Sequence, residues 1–108
     1  MYNNCMFTVI EGPEFIASAE GIWTDKEREA FISWIAANPH AGDVIPGAHG
    51  LRKVRWSASG RGKRGGARVI YLARAERGEV LLVIAYVKAK FDNLPAHFLN
   101  RLKERYHV

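Results

Sequence analysis

A single cysteine, Cys5, stands in a chain of 108 residues. No internal disulfide can staple such a fold, and the thiol count fits a reducing compartment. Long hydrophobic runs are missing as well. The longest, Val80 to Val87, has eight residues, against roughly 20 for a helix that spans a bilayer. The opening stretch MYNNCMFTVIEGPEF contains no Lys or Arg and holds acids early, the wrong composition for a secretory leader. These absences predict a cytoplasmic protein with no membrane partner. No GxxxxGK[ST] phosphate loop is present, and no Cys/His cluster has zinc-binding spacing, which removes a P-loop nucleotide site and a zinc centre. Neither a repeat nor a low-complexity linker interrupts the chain, so residues 1–108 read as one domain.

Acids are scarce in one half only. Residues 1–50 carry seven acids against two bases, Lys26 and Arg28, whereas residues 51–108 carry 14 bases against four acids. A charge distribution split in this way focuses anions onto one side of a molecule. The density peaks over Leu51 to Tyr71, LRKVRWSASGRGKRGGARVIY. Nine of the 16 Lys and Arg lie between Arg52 and Arg77, opposed in that window by Glu76 alone. A solvated basic face is the plainer explanation, and an acidic protein partner another. An RNA partner accounts best for cations concentrated on two strands and their connection.

The local pattern predicts an α+β domain in the order β-α-α-β-β-β-α. Met6 to Ile10 is rich in β-formers and is followed by Gly12-Pro13. Pro13 suits the first turn of a short helix, Glu14 to Glu20, which Gly21 ends. Thr24 and Glu27 form a capping box, with Asp25 and Glu27 complementing the helix dipole. That helix runs to about Ala37, with Ala30, Phe31, Trp34, Ile35 and Asn38 along one side, and Asn38-Pro39 stops it. Trp34 is expected in the core. His40 to Gly50 reads as a loop, in which His49 is more simply a solvent-exposed histidine than an acid–base group. Leu51 to Ser57 alternates, placing Val54 and Trp56 on one face and Lys53 and Arg55 on the other. Ala67 to Arg74 is a second strand, with Val69 and Tyr71 opposite Arg68 and Ile70. Glu76 to Gly78 is a turn. Glu79 to Val87 suits a central strand covered on both faces. Pro95 to Tyr106 has a helical spacing of Phe98, Leu99, Leu102 and Tyr106, with Arg101, Lys103 and Arg105 outward.

The basic hairpin has a chemistry of its own. The SGRGKRGG connection, Ser59 to Gly66, lets backbone approach a phosphate, and Arg61, Lys63 and Arg64 supply charge. A metal-dependent nuclease wants several carboxylates beside its basic surface, and this half is poor in them. Metal-free phosphodiester chemistry needs less, because RNA brings its own nucleophile, the 2′-hydroxyl. Fork-shaped, permanently charged Arg donors suit the pentacovalent phosphorane. A lysine crowded by other cations can lower its pKa and exchange protons. Lys53, Arg55 and Arg68 on adjacent strands can supply this set. The same surface would also bind a nucleic acid without cutting it.

The run GDVIPGAHGLRKVRWSASGRGKRGGARVIY, Gly42 to Tyr71, resembles the RelE-like toxins of type II toxin–antitoxin pairs, and specifically their HigB-type branch. With the element order, the resemblance extends from Phe7 to about Asp92. It implies a mostly antiparallel twisted sheet of about four strands, with two N-terminal helices and a C-terminal helix. It further implies a ribosome-dependent mRNA endonuclease that leaves a 2′,3′-cyclic phosphate and a 5′-hydroxyl, with no metal or cofactor. A HigA-like helix-turn-helix antitoxin would silence it, and operator DNA would be met only through that complex. By motif matching, Lys53, Arg55, Arg68 and Lys88 take the catalytic positions, and Arg52, Arg61, Lys63, Arg64 and Lys90 the RNA-binding ones. The chain departs from the family in two places. The tyrosine that RelE relatives carry near the C-terminus is absent from FDNLPAHF, Phe91 to Phe98, where His97 is the nearest substitute. Ala89 stands where RelE has an arginine. The resemblance thus leaves the general base unassigned, and a non-catalytic RNA- or DNA-binding protein of the same fold is the alternative.

Overall fold

The computed structural model describes residues 6–57 and 66–87, together with Glu104. Strand β1 (Thr8–Glu11) leads into helices α1 (Pro13–Glu20) and α2 (Asp25–Ala37), then strands β2 (Asp43–Val44), β3 (Arg52–Trp56), β4 (Ala67–Arg74) and β5 (Glu79–Val87). The strands form one sheet in the order β1-β5-β4-β3-β2. Three pairings are antiparallel, and β1 runs parallel to β5. The expected four strands are therefore five. The extra one, β2, lies inside the stretch His40 to Gly50 that reads as loop in the sequence. Two residues are too few to show a period, so nothing in the local pattern betrays it. The expected helix from Pro95 to Tyr106 lies outside the described residues, apart from Glu104, which is helical and exposed. Among the described residues, no helix is long and apolar enough to cross a membrane.

Both helices pack on one face of the sheet. The α2 capping box forms as the sequence predicts: Glu27 N–H donates to Thr24 Oγ1 at 3.1 Å, and Thr24 N–H donates to Glu27 Oε1 at 2.9 Å. The buried stripe of α2 is Phe31, Ile35 and Ala36, flanked by half-buried Ile32 and Trp34. Ala30 and Asn38, expected on that stripe, are exposed. Asn38 is the C-cap, and its Nδ2 donates to the Trp34 carbonyl at 2.9 Å instead of packing. Phe31 and Ile35 join Phe15 and Ala19 of α1 over Val54, Val69, Tyr71, Val80 and Leu82 of the sheet. Trp56 stands edge-on to both Phe31, at 5.4 Å between centroids, and Trp23, at 5.6 Å. A large apolar side chain buried in this way contributes roughly 1.5–3 kcal/mol.

Strand β1 pairs with β5 only as far as Glu11 opposite Leu82, after which Gly12 turns the chain into α1. Past that point α1 takes over: the Ala85 N–H donates to Ser18 Oγ at 3.0 Å, and the same hydroxyl donates to Glu14 O at 2.7 Å. The helix is thereby tied to the strand by a polar contact as well as by packing.

On the opposite face, Ile70, Leu72, Leu81, Val83 and Tyr86 form a second apolar layer with Ala48 and Leu51 of the loop before β3. Both faces of β5 are thus covered, as its sequence suggests. A bulge shifts the β4–β5 register between Ile70 and Tyr71, so that Ile70 faces Ile84 while Tyr71 faces Leu82. Val83 is the extra residue, and the strand beyond it is re-aimed across the second face.

Candidate nucleic-acid interface

The alternation of β3 and β4 decides where the cations go. Val54 and Trp56 point to the helices, so Lys53 and Arg55 project from the other face. Register then assembles two rows across the sheet. Arg55 faces Arg68, which faces Tyr86; Asp43 faces Lys53, which faces Ile70. Side chains directly opposite one another have Cβ atoms about 4.5–5.5 Å apart, and two like charges so placed repel. The fold accepts that repulsion at Arg55 and Arg68 with Lys53 close by.

Arg68 bears the greater cost. It is 7% exposed, the one buried charged residue among those described, and its Nη1 has no hydrogen-bond partner. A guanidinium cannot escape burial by losing its proton, and an uncompensated buried charge is strongly unfavourable. Asp43, Lys53, Arg55 and Arg68 together line a hollow of about 360 Å³, within the roughly 300–1,000 Å³ of small-ligand sites. Among the described residues, the hollow's cations and its one carboxylate form no ion pair with one another. Among the described residues the recess gathers three positive side chains, one of them buried with an unsatisfied Nη1, an arrangement whose charge suits an anion.

The other cations near the hairpin have different employment. Arg74 pairs with Glu79 across the β4–β5 ladder at 3.9 Å. Arg77 is exposed in the turn before β5. Arg52 is not brought to the hollow: its Nη1 donates to the carbonyls of Gly42 at 2.7 Å and His40 at 3.5 Å. Arg61, Lys63 and Arg64, in the β3–β4 connection, and Lys88 and Lys90, after β5, lie outside the described residues. His49 is exposed with a positive φ of 53° and does not line the hollow.

Asp43 is the lining residue that the sequence reading passed over. Its place is fixed from behind. The Gly42 N–H donates to the hydroxyl of fully buried Tyr71 at 2.9 Å, while Arg52 holds the Gly42 carbonyl. A Cβ at Gly42 would stand 2.8 Å from Lys53 O and 3.0 Å from Tyr71 Cε1, so only glycine lets β2 lie this close. Burial pushes the Tyr71 hydroxyl above its ordinary pKa, partly offset by the Gly42 hydrogen bond and the Arg52 charge.

The fold has solved counterparts. The free-state structure of an E. coli RelE toxin with two arginines replaced by alanine superposes with a TM-score of 0.62 at 9% sequence identity, covering 91% of this chain and 97% of that one. The crystal structure of the isolated E. coli RelE toxin, in its P21 form, gives 0.55 at 11% identity, covering 92% and 98%. The fold is that of RelE. Among the described residues its layout is five strands with two helices on one face, and the basic hollow lies on the face away from those helices. No protein-family model matches the sequence, so the HigB-type branch rests on the motif resemblance alone.

Proposed function

We propose that the chain is the toxin of a type II toxin–antitoxin pair and an endoribonuclease that cuts mRNA on the ribosome. The observation that carries this is Arg68, a buried guanidinium with an unsatisfied Nη1, which lines one recess together with Lys53 and Arg55 on a RelE fold. A phosphodiester supplies what the recess lacks: negative charge with several acceptor oxygens. Arg68 and Arg55 hold the non-bridging oxygens and stabilise the phosphorane as the 2′-oxygen attacks. Lys53 gives a proton to the departing 5′-oxygen. The products are a 2′,3′-cyclic phosphate and a 5′-hydroxyl, and the reaction calls for no metal. Lys88, next in sequence after β5, completes the catalytic set. Arg61, Lys63, Arg64 and Lys90 bind RNA, and the Arg52 side chain serves by holding β2. The partner is a HigA-like helix-turn-helix antitoxin, which alone contacts operator DNA, and the setting is the cytoplasm.

Induced expression should arrest growth, and Arg68→Ala should relieve the arrest. Removing one donor of this kind lowers the rate by about 10²–10³. The variant should melt no lower than the parent, because deleting an unpaired buried charge costs the fold little. An Arg68→Ala chain as toxic as the parent would show that the anion site has been misplaced.

A further inference from the structure

We propose that Asp43 is the proton acceptor of this site, its carboxylate taking the 2′-hydroxyl proton of an RNA whose phosphate rests on Lys53, Arg55 and Arg68. This rests on the RNA-cleaving reading above and adds the base that it lacks.

The geometry argues for it in three ways. First, Asp43 is the one carboxylate among the described residues that line the hollow, and neither His40 nor His49 reaches it. Second, its backbone is clamped, with Gly42 held through its N–H by Tyr71 and through its carbonyl by Arg52, and pressed against Lys53 with no room for a Cβ. That is heavy construction for a two-residue edge strand whose side chains are both exposed. Third, Asp43 does not neutralise the cations around it. It stands directly across from Lys53 in the β2–β3 register, where an ion pair is within easy reach, yet it pairs with none of Lys53, Arg55 and Arg68. A carboxylate placed for charge balance would close onto the nearest ammonium or guanidinium. This one stays apart, leaving space between anion and cations for the group that both must touch.

The step balances. The O2′–H bond breaks and its proton passes to a carboxylate oxygen of Asp43. O2′ bonds to phosphorus, the P–O5′ bond breaks, and O5′ takes a proton from the Lys53 ammonium. Exchange with solvent restores both groups. Among the described residues, the charged groups that line the hollow with Asp43 are Lys53 and Arg55 from β3 and Arg68 from β4, with Arg52 and Tyr71 behind Gly42.

The test uses the full chain and an mRNA held on stalled ribosomes, under single-turnover conditions. Asp43→Asn should cut about 10²–10⁴ times more slowly, the range a general base supplies, while melting at the parent temperature. It should bind the same message, carrying a 2′-deoxynucleotide at the cut site, at least as tightly as the parent. The pH–rate profile of Asp43→Asn should differ in shape from the parent's, and Asp43→Glu should keep the parent's shape. Asp43→Asn cutting at the parent rate or faster would overturn the assignment. So would a slow Asp43→Asn whose pH–rate profile keeps the parent's shape, since Asp43 would then only position its neighbours. A parent chain that cuts no ribosome-bound message would bring down the RNA-cleaving reading and the assignment with it.

Discussion

Tyr71 shows how one side chain can serve both the core and the site. Its ring is fully buried beneath the helices, and its hydroxyl accepts the Gly42 N–H. Tyr71→Phe keeps the ring and strands that N–H, a loss of about 1–3 kcal/mol, which chemical denaturation at neutral pH would measure. The pH dependence has a definite sign. Burial raises the Tyr71 pKa above its usual 10.0, so the folded state holds the proton more tightly than the unfolded one. The resulting stability is fully present below pH 10 and is lost as pH rises from there through the folded value. The Tyr71→Phe chain should lack this part of the alkaline decline. Parallel pH profiles for parent and variant would refute the buried, neutral hydroxyl.

Among the elements, α2 and β2 make opposite predictions. Thr24→Ala removes the capping box at the N-terminus of α2, on the face of the sheet away from the hollow, and should cost about 0.5–2 kcal/mol with cleavage unchanged. Gly42→Ala drives a Cβ into Lys53 O and Tyr71, forcing β2 off β3, and should weaken cleavage out of proportion to any loss in melting temperature. Thermal melts with matched cleavage assays separate the two; equal effects on activity would mean that β2 has no part in the site. The same contrast marks what a sequence can reveal. The Thr24–Glu27 box, the Asn38-Pro39 stop and the Val54/Trp56 against Lys53/Arg55 alternation are local, and all appear where the residues predict. Strand β2 is not local: it exists because β3 offers an edge and Tyr71, far along the chain, offers a hydroxyl. Asp43 was missed for the same reason, and the separate duties of Arg52 and Arg74 depend on partners brought up by sheet register.

Across the whole molecule the two faces divide the labour. Helices α1 and α2 cover one side of the sheet and carry most of the acids of the first half of the chain. The other side gathers Lys53, Arg55 and Arg68 into one recess around Asp43. In the proposed reading the strongly basic second half is more than a solubility device, because a buried cation with an unsatisfied Nη1 lies in its recess. The most direct test is to map the 5′ ends of cellular mRNA after brief induction, with translation running and with it blocked. Cuts within codons that depend on translation, and that vanish with Arg68→Ala, are the predicted result. Intact mRNA, or cuts that persist unchanged when translation is blocked, would contradict a ribosome-dependent endonuclease.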